Sequence, residues 1–185
     1  MENKILEMQS WLESNKINFI KDFDLTRRSW IKAGGKIKTY IKPNNLDEII
    51  KINNFEKEKK VKTYVIGNIS NTLIRDGQIN TPFINLSNFN YIIKLKNKSG
   101  LHVFVGAGVS IPRFSKYVVD EGYSGTEGLY GIPGTIGGGI FMNASSFGNS
   151  LTESMHKVVA IDIENKVSFK KINIIKFSWR YSEFQ

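Results

Sequence analysis

Nine consecutive residues, Gly131-Ile132-Pro133-Gly134-Thr135-Ile136-Gly137-Gly138-Gly139, hold five of the sixteen glycines of this 185-residue chain. In a helix each glycine costs about 1 kcal/mol against alanine, so an ordinary helix is not expected there. An ordinary strand is not expected either, because the run has few side chains to pack. What the run offers is backbone N–H groups that come close to a ligand, with positive φ where the path needs it. Flat or phosphate-bearing ligands require that close approach. Met142-Asn143-Ala144-Ser145 follows, and Asn143 adds a donor and an acceptor. The plain alternative is a tight connection in a β-rich domain.

The rest of the composition narrows the chemistry. Apolar residues make up 41% of the chain, with twelve Phe, seven Tyr and three Trp, enough for a real core. There is no cysteine, which removes disulfides, thiolate metal sites and cysteine nucleophiles. The two histidines, His102 and His156, stand far apart without a carboxylate cluster, so no metal centre is expected. No apolar run is long enough to span a bilayer. The N-terminus, MENKILEMQSWLESNK, lacks the apolar centre and cleavage site of a signal peptide. A soluble, cytoplasmic protein without membrane contact is expected. The net charge of +9 suits anionic small molecules such as dinucleotides and nucleotide-sugars. Nucleic acid ranks last, because the lysines are scattered and the densest run, Lys57-Glu58-Lys59-Lys60, sits at an expected helix end.

Periodicity predicts an amphipathic helix over 3–15, with Ile5, Leu6, Met8, Trp11 and Leu12 on one face. A loop and strand region over 24–38 contains Gly34-Gly35. A strand over 38–42 ends at Pro43. A helix over 46–58 is capped by Asn45, with Glu48 reaching back to the cap. A strand over 61–66 ends at Gly67, giving β-α-β, and further strands are expected at Leu73-Ile74 and 82–86. The second half opens with strands over 91–95 and 101–105, joined at Ser99-Gly100. Ser110 caps a helix with Pro112 in its first turn, and Gly122 stops it. Strands over 158–163 and 166–169 turn at Glu164-Asn165. The tail over 172–177 reads as one or two short helical turns. A division falls near 78–90, set as subdomains 1–80 and 81–185.

Two further segments carry chemistry. Gly67-Asn68-Ile69-Ser70-Asn71 directly follows a strand and presents N–H and hydroxyl donors suited to a pyrophosphate. A plain turn of ordinary turn residues is the competing reading. Phe177-Ser178-Trp179-Arg180-Tyr181-Ser182 sets an arginine among aromatics, where it can bind an anion or polarise a developing oxyanion. A surface arginine stacked on a ring is the plainer reading of this segment alone. The chain has no Gly-x-Gly-x-x-Gly fingerprint in its required strand–helix setting and no Gly-Lys-Ser/Thr phosphate loop.

Together the segments resemble the UDP-N-acetylenolpyruvoylglucosamine reductases, also called UDP-N-acetylmuramate dehydrogenases. These are flavoenzymes of the vanillyl-alcohol-oxidase (PCMH-type) FAD-binding superfamily. Ser29-Trp30-Ile31-Lys32-Ala33-Gly34-Gly35 is similar to the family's Thr-Trp-x-x-Gly-Gly. Val65-Ile66-Gly67-Asn68-Ile69-Ser70-Asn71-Thr72-Leu73 is similar to its Leu-Gly-x-Gly-Ser-Asn-x-Leu loop. Gly106-Ala107-Gly108 follows in order. The stretch 131–144 is similar to Gly-Ile-Pro-Gly-Thr-Val-Gly-Gly…Met-Asn-Ala. Trp179-Arg180-Tyr181-Ser182-Glu183-Phe184 is similar to Tyr-Arg-x-Ser-x-Phe.

The resemblance implies an α+β fold of two subdomains with FAD between them. The pyrophosphate would meet Gly67, Asn68, Ile69, Ser70, Asn71 and Thr72. The flavin and ribityl parts would lie along Gly131, Ile132, Pro133, Gly134, Thr135, Gly137, Gly138, Asn143 and Ala144. NADPH would reduce the flavin, and a hydride would then pass to the enolpyruvyl group of a UDP-sugar in peptidoglycan precursor synthesis. Arg180 would stabilise the enol-like intermediate. The chain departs from the pattern at Ile69, which replaces a glycine and whose β-branch resists positive φ. It departs also at Trp179, which replaces tyrosine, and at Ser145, which replaces glycine. The family's third, substrate-closing domain, with its proton-donating serine and late glutamate, has no counterpart here. The alternatives are a non-catalytic flavin or nucleotide-sugar binding module that acts with a partner chain supplying that domain, and a degenerate fragment kept as a structural partner.

Overall fold

The computed structural model describes residues 2–26, 28–96 and 100–185. Contacts divide the chain into two compact units, Met1–Phe89 and Asn90–Gln185. That division falls later than 80/81, because the strand at Phe83–Asn85 pairs inside the first unit's sheet.

The first unit opens with helix α1, Glu2–Ser14, followed by strand β1, Phe19–Asp24. Strand β2, Lys36–Ile41, leads into helix α2, Leu46–Lys59. Asn45 caps α2 as its sequence predicts: its side chain accepts the Glu48 N–H at 2.9 Å. The Glu48 carboxylate reaches one residue beyond the cap, to the Asn44 N–H at 2.8 Å. Short strands follow as β3, Tyr64–Ile66, β4, Gln78–Ile79, and β5, Phe83–Asn85. The expected strand at Leu73-Ile74 is irregular chain.

The sheet runs β1-β2-β5-β3, with β4 also on β2. β1 is antiparallel to β2, and the other pairings are parallel. Paired residues feed different cores. Ile41 and Ile84 meet α1 and α2 through Ile5, Met8, Leu12, Ile52 and Phe55. Tyr40 and Phe83 join Leu25, Ile37, Ile66, Ile69, Ile74 and Ile79 in a second cluster. Apolar burial at roughly 25 cal/mol per Å² is the main favourable term in both.

The second unit begins with a hairpin of β6, Ile92–Leu95, and β7, His102–Val105. Of its expected turn at Ser99-Gly100, Ser99 lies outside the described residues. Helix α3, Ile111–Asp120, starts at Ser110, whose hydroxyl accepts the Arg113 N–H at 3.3 Å, and Gly122 follows with φ 81. Helix α4 is Ile136–Phe141, followed by β8, Ser145–Ser146, and β9, Asn149–Ser150. The hairpin of β10, Lys157–Ile161, and β11, Val167–Lys171, turns through Asn165 at φ 62. A 3-10 turn at Ile172–Ile174 leads to a last hairpin, β12, Phe177–Ser178, with β13, Tyr181–Ser182. The core gathers Val109, Ile111, Phe114, Leu129, Ile136 and Leu151 between α3 and α4. Among the described residues no helix is long and apolar enough to cross a membrane.

Candidate functional site

In the first unit the site candidates occupy the loop after β3. The Asn85 side chain donates to the carbonyls of Ile66, at 3.1 Å, and Gly67, at 3.0 Å, and so fixes where the strand exits. Ile69 then takes φ 53. Its β-branch resists this conformation, and packing offsets the cost. The side chain is 6% exposed and plugs into the cluster of Leu25, Ile66 and Ile74. Its carbonyl accepts the Trp30 N–H at 3.2 Å. Left-handed backbone costs a non-glycine residue about 1–2 kcal/mol, and full burial of an isoleucine returns roughly 1.5–3 kcal/mol.

With Ile69 turned inward, Asn68, Asn71 and Thr72 of the loop are exposed. The N–H groups of Asn68, Ile69, Ser70, Asn71 and Thr72 donate to no other group among the described residues. A run of successive free N–H groups in a turn is an anion-binding concavity. Trp30, 63% exposed, is tied to this loop through its backbone, a link that sequence reasoning did not assign. Behind the loop, Tyr40 stacks on Phe23 at 4.0 Å. Burial pushes its phenol up to about 12 against a lowering by Arg28, so it stays neutral and packs.

In the second unit the glycine-rich run corrects an expectation. Gly137, Gly138 and Gly139 lie inside helix α4, and none of the five glycines of 131–139 has a left-handed φ. The reason is tertiary. A Cβ on Gly137 would stand 3.0 Å from the Ala107 Cβ, and one on Gly139 would stand 2.7 Å from Leu151 and 2.9 Å from Ile111. Glycine lets this short helix press against its neighbours. The N–H groups of Ile136 and Gly137 are spent on Val109 and Ala107, and Gly134 accepts from Ile111. Thr135 caps α4 through the Gly138 N–H at 3.3 Å. Ile132 packs against the core, and Ala144, 7% exposed, belongs to it.

What remains open is the approach to the helix. A Cβ on Gly131 would meet nothing within 4 Å. The N–H groups of Gly131, Gly134 and Thr135, on either side of Pro133, donate to no described group. Asn143 follows α4 at φ 46, and its Nδ2 donates to the Ser178 carbonyl at 2.9 Å. Its Oδ1 is buried without a partner. Leaving such an acceptor unpaired costs about 1–3 kcal/mol.

Arg180 forms the turn between β12 and β13, at φ 53, with its guanidinium 5.4 Å from the ring centroid of Trp179. Both side chains face solvent, Trp179 at 84% exposure. The hairpin is fastened to the end of α4. The Ser182 hydroxyl and the Gln185 amide both donate to the Phe141 carbonyl, at 2.8 and 2.9 Å, and Gln185 also reaches the Arg180 carbonyl at 3.1 Å. Sequence reasoning missed these anchors, whose one signal is a serine two residues after the arginine. Glu183 pairs with Lys170 and accepts the Lys176 N–H at 3.0 Å. The Lys170 ammonium, followed by that N–H, holds its carboxyl below the ordinary carboxylate range.

The two histidines, distant in sequence, come together: their rings stack at 5.0 Å and 4°. His102 opens β7, and His156 stands immediately before β10. Among the described residues no group of three or more metal-ligating side chains occurs. The site candidates thus divide between the units, 67–72 in the first and 131–144 with Arg180 in the second.

Each unit by itself carries free backbone donors among the described residues. In the first unit the free N–H groups at 68–72 suit an anion, and in the second the open approach at Gly131 suits a flat ligand face. The sequence profile of the family described as "FAD binding domain" matches residues 37–162. The UDP-N-acetylenolpyruvoylglucosamine reductase of Lactobacillus helveticus is 33% identical over 174 residues, covering 94% of this chain and 57% of that protein. The crystal structure of the UDP-N-acetylenolpyruvylglucosamine reductase from Thermus caldophilus superposes with a TM-score of 0.69 at 22% identity, over 90% of this chain and 56% of that one. Cholesterol oxidase from B. sterolicum shares the fold with a TM-score of 0.61 at 15% identity, over 84% of this chain and 32% of that one. The expected α+β fold of flavin-binding proteins is therefore the fold found. The chain spans about half the length of the curated relatives it matches.

Proposed function

The chain belongs to the FAD binding domain family, and on that premise we propose that it binds FAD as an oxidoreductase of the UDP-N-acetylenolpyruvoylglucosamine reductase type. NADPH is the reductant in this reading, an enolpyruvyl UDP-sugar is the substrate, and the setting is cytoplasmic synthesis of peptidoglycan precursors. The observation that supports it best is the run of five free N–H groups at 68–72, held open by the buried Ile69 side chain.

FAD, when bound, supplies hydride transfer between NADPH and the enolpyruvyl carbon. The chain supplies the rest. Asn68, Ile69, Ser70, Asn71 and Thr72, after Gly67, hold the pyrophosphate through backbone donors that need no reorganisation. Gly131, Gly134 and Thr135 carry free N–H groups on the stretch that takes the ring in this reading, and Pro133 stiffens it. Gly137, Gly138 and Ala144 serve by packing α4 closely, with Ile132 beneath. Arg180 places a fixed cation where negative charge develops on the substrate, the situation in which a preorganised charge lowers a barrier most.

The test is the visible absorption spectrum before and after incubation with FAD. A bound-flavin spectrum supports the reading, and a featureless one after incubation overturns it. The commitment of Glu183 to Lys170 favours a second reading, because the one carboxylate of the Arg180 hairpin is already paired. In it the chain is a flavin or nucleotide-sugar binding module working with a partner protein. Steady NADPH consumption by this chain alone, dependent on the enolpyruvyl UDP-sugar, would decide against the module.

A further inference from the structure

The chain holds two histidines, and the fold sets them ring against ring. Their backbones are fixed by different hairpins of the second unit. His102 pairs with Leu95 in the β6–β7 ladder. The His156 carbonyl accepts the Ile172 N–H at 3.0 Å, at the open end of the β10–β11 ladder. Each hairpin is its own two-stranded sheet, and among the described residues no ladder joins them. Such hairpins are marginal alone, so a side-chain link between them carries weight. No nitrogen of either ring has a hydrogen-bond partner among the described residues. His156 is exposed and His102 is half-buried, so water and small ions reach the pair.

A neutral imidazole presents one nitrogen lone pair, and zinc, copper and nickel favour that donor. With metal–nitrogen bonds of about 2.0–2.1 Å, two imidazoles on one zinc ion have centroids roughly 4.5–5.5 Å apart. The two rings here stand 5.0 Å apart. Their planes differ by 4°, so one ring must turn to aim its lone pair at a shared ion. The exposed His156 ring can do so about its last torsion, which is broad and costs no described hydrogen bond.

We propose that His102 and His156 form a two-imidazole site for a borderline divalent transition-metal ion such as Zn²⁺, which ties β7 to the start of β10. Water completes the coordination. Mg²⁺ and Ca²⁺ are excluded, because they take oxygen ligands. Lys157, next to His156, and Lys171, its partner across the ladder, repel an ion held by charge alone. The segment between the histidines holds α3 and α4. A shared ion closes that loop and stabilises the folded unit in proportion to its binding. The site stands apart from 67–72, 131–144 and Arg180, and does not depend on FAD.

The test is a Zn²⁺ titration against a chromophoric chelator, with Mg²⁺ as the control, on the wild type, His102→Phe, His156→Phe and the double variant. Phenylalanine keeps a flat ring for the stack and removes the nitrogens. Melting without metal checks that each variant folds. The wild type takes up one Zn²⁺ per chain. Each single variant weakens binding by about tenfold or more, since losing even an outer partner of a metal ligand costs about 10–100-fold. The double variant binds no more weakly than the singles, because either loss already breaks the chelate. Zn²⁺ raises the melting temperature of the wild type and not of the single variants, and Mg²⁺ raises neither. A single variant with wild-type Zn²⁺ affinity overturns the proposal. So do single losses that multiply in the double variant, which mark two independent imidazoles, and so does a wild type that takes up no Zn²⁺.

Discussion

Ile69 offers a sharp test, because two opposed terms meet in one residue. Its backbone is left-handed at φ 53, and its side chain is 6% exposed. Replacing a buried isoleucine by alanine costs about 2–5 kcal/mol through lost burial and the cavity left behind. Going on from alanine to glycine ordinarily costs about 0.5–1 kcal/mol more, from chain entropy. At position 69 that second step also removes about 1–2 kcal/mol of left-handed strain. Ile52, fully buried in α2 of the same unit, is a matched control in right-handed backbone. The alanine–glycine gap at 69 should therefore be smaller than the gap at 52 by about 1–2 kcal/mol, which makes it absent or reverses its sign. For a chain of this size that is roughly 2–8 °C in melting temperature. The assay is thermal and urea unfolding of Ile69→Ala, Ile69→Gly, Ile52→Ala and Ile52→Gly, followed by circular dichroism. Equal gaps at the two positions would refute the reasoning, since Ile69 would then store no strain.

Gly35→Ala should be severely destabilising, by about 3 kcal/mol or more, because its Cβ would stand 2.0 Å from the Gly77 carbonyl oxygen, a backbone atom that cannot swing away. A melting temperature within 2–4 °C of wild type, roughly one kcal/mol, would contradict that contact. Glu183 has its pKa depressed, chiefly by Lys170, so its contribution is present above the ordinary carboxylate value and is lost as pH falls through the lower folded value. The wild type should therefore melt above Glu183→Gln at neutral pH, with the gap closing below about pH 4. A gap that widens on acidification would reverse the sign. Arg180→Ala should leave the FAD titration nearly unchanged and lower any substrate-dependent NADPH turnover by about 100–1000-fold. Loss of flavin instead would make Arg180 a structural residue.

Elements with local signals were readable in the sequence. Asn45 and Glu48 announced the start of α2, and Ser110, Pro112 and Gly122 bounded α3. β1 was not readable, since FIKDFD carries no clean alternation and is a strand because β2 pairs with it. The glycine run was misread for a related reason. Helix propensity is a local quantity, and the decisive contacts with Ala107, Ile111 and Leu151 are tertiary. The histidine pair was invisible in the same way. At the candidate site, the exit of β3 into a turn at Gly67-Asn68 was legible from the residue types. The grip of Asn143 on Ser178 spans 35 positions, so no local pattern records it.

The strand order of the first unit also bears on how the chain is made. β5 lies between β2 and β3 but follows both in sequence. A growing chain therefore exposes two facing open edges, along Tyr40-Ile41 and along Tyr64-Val65-Ile66, until Phe83-Ile84-Asn85 arrives between them. The unit cannot condense strand by strand. It closes in a late step that depends on parallel, non-local pairing, which is slow relative to forming hairpins or helices. During synthesis that interval is when unpaired edges meet other chains.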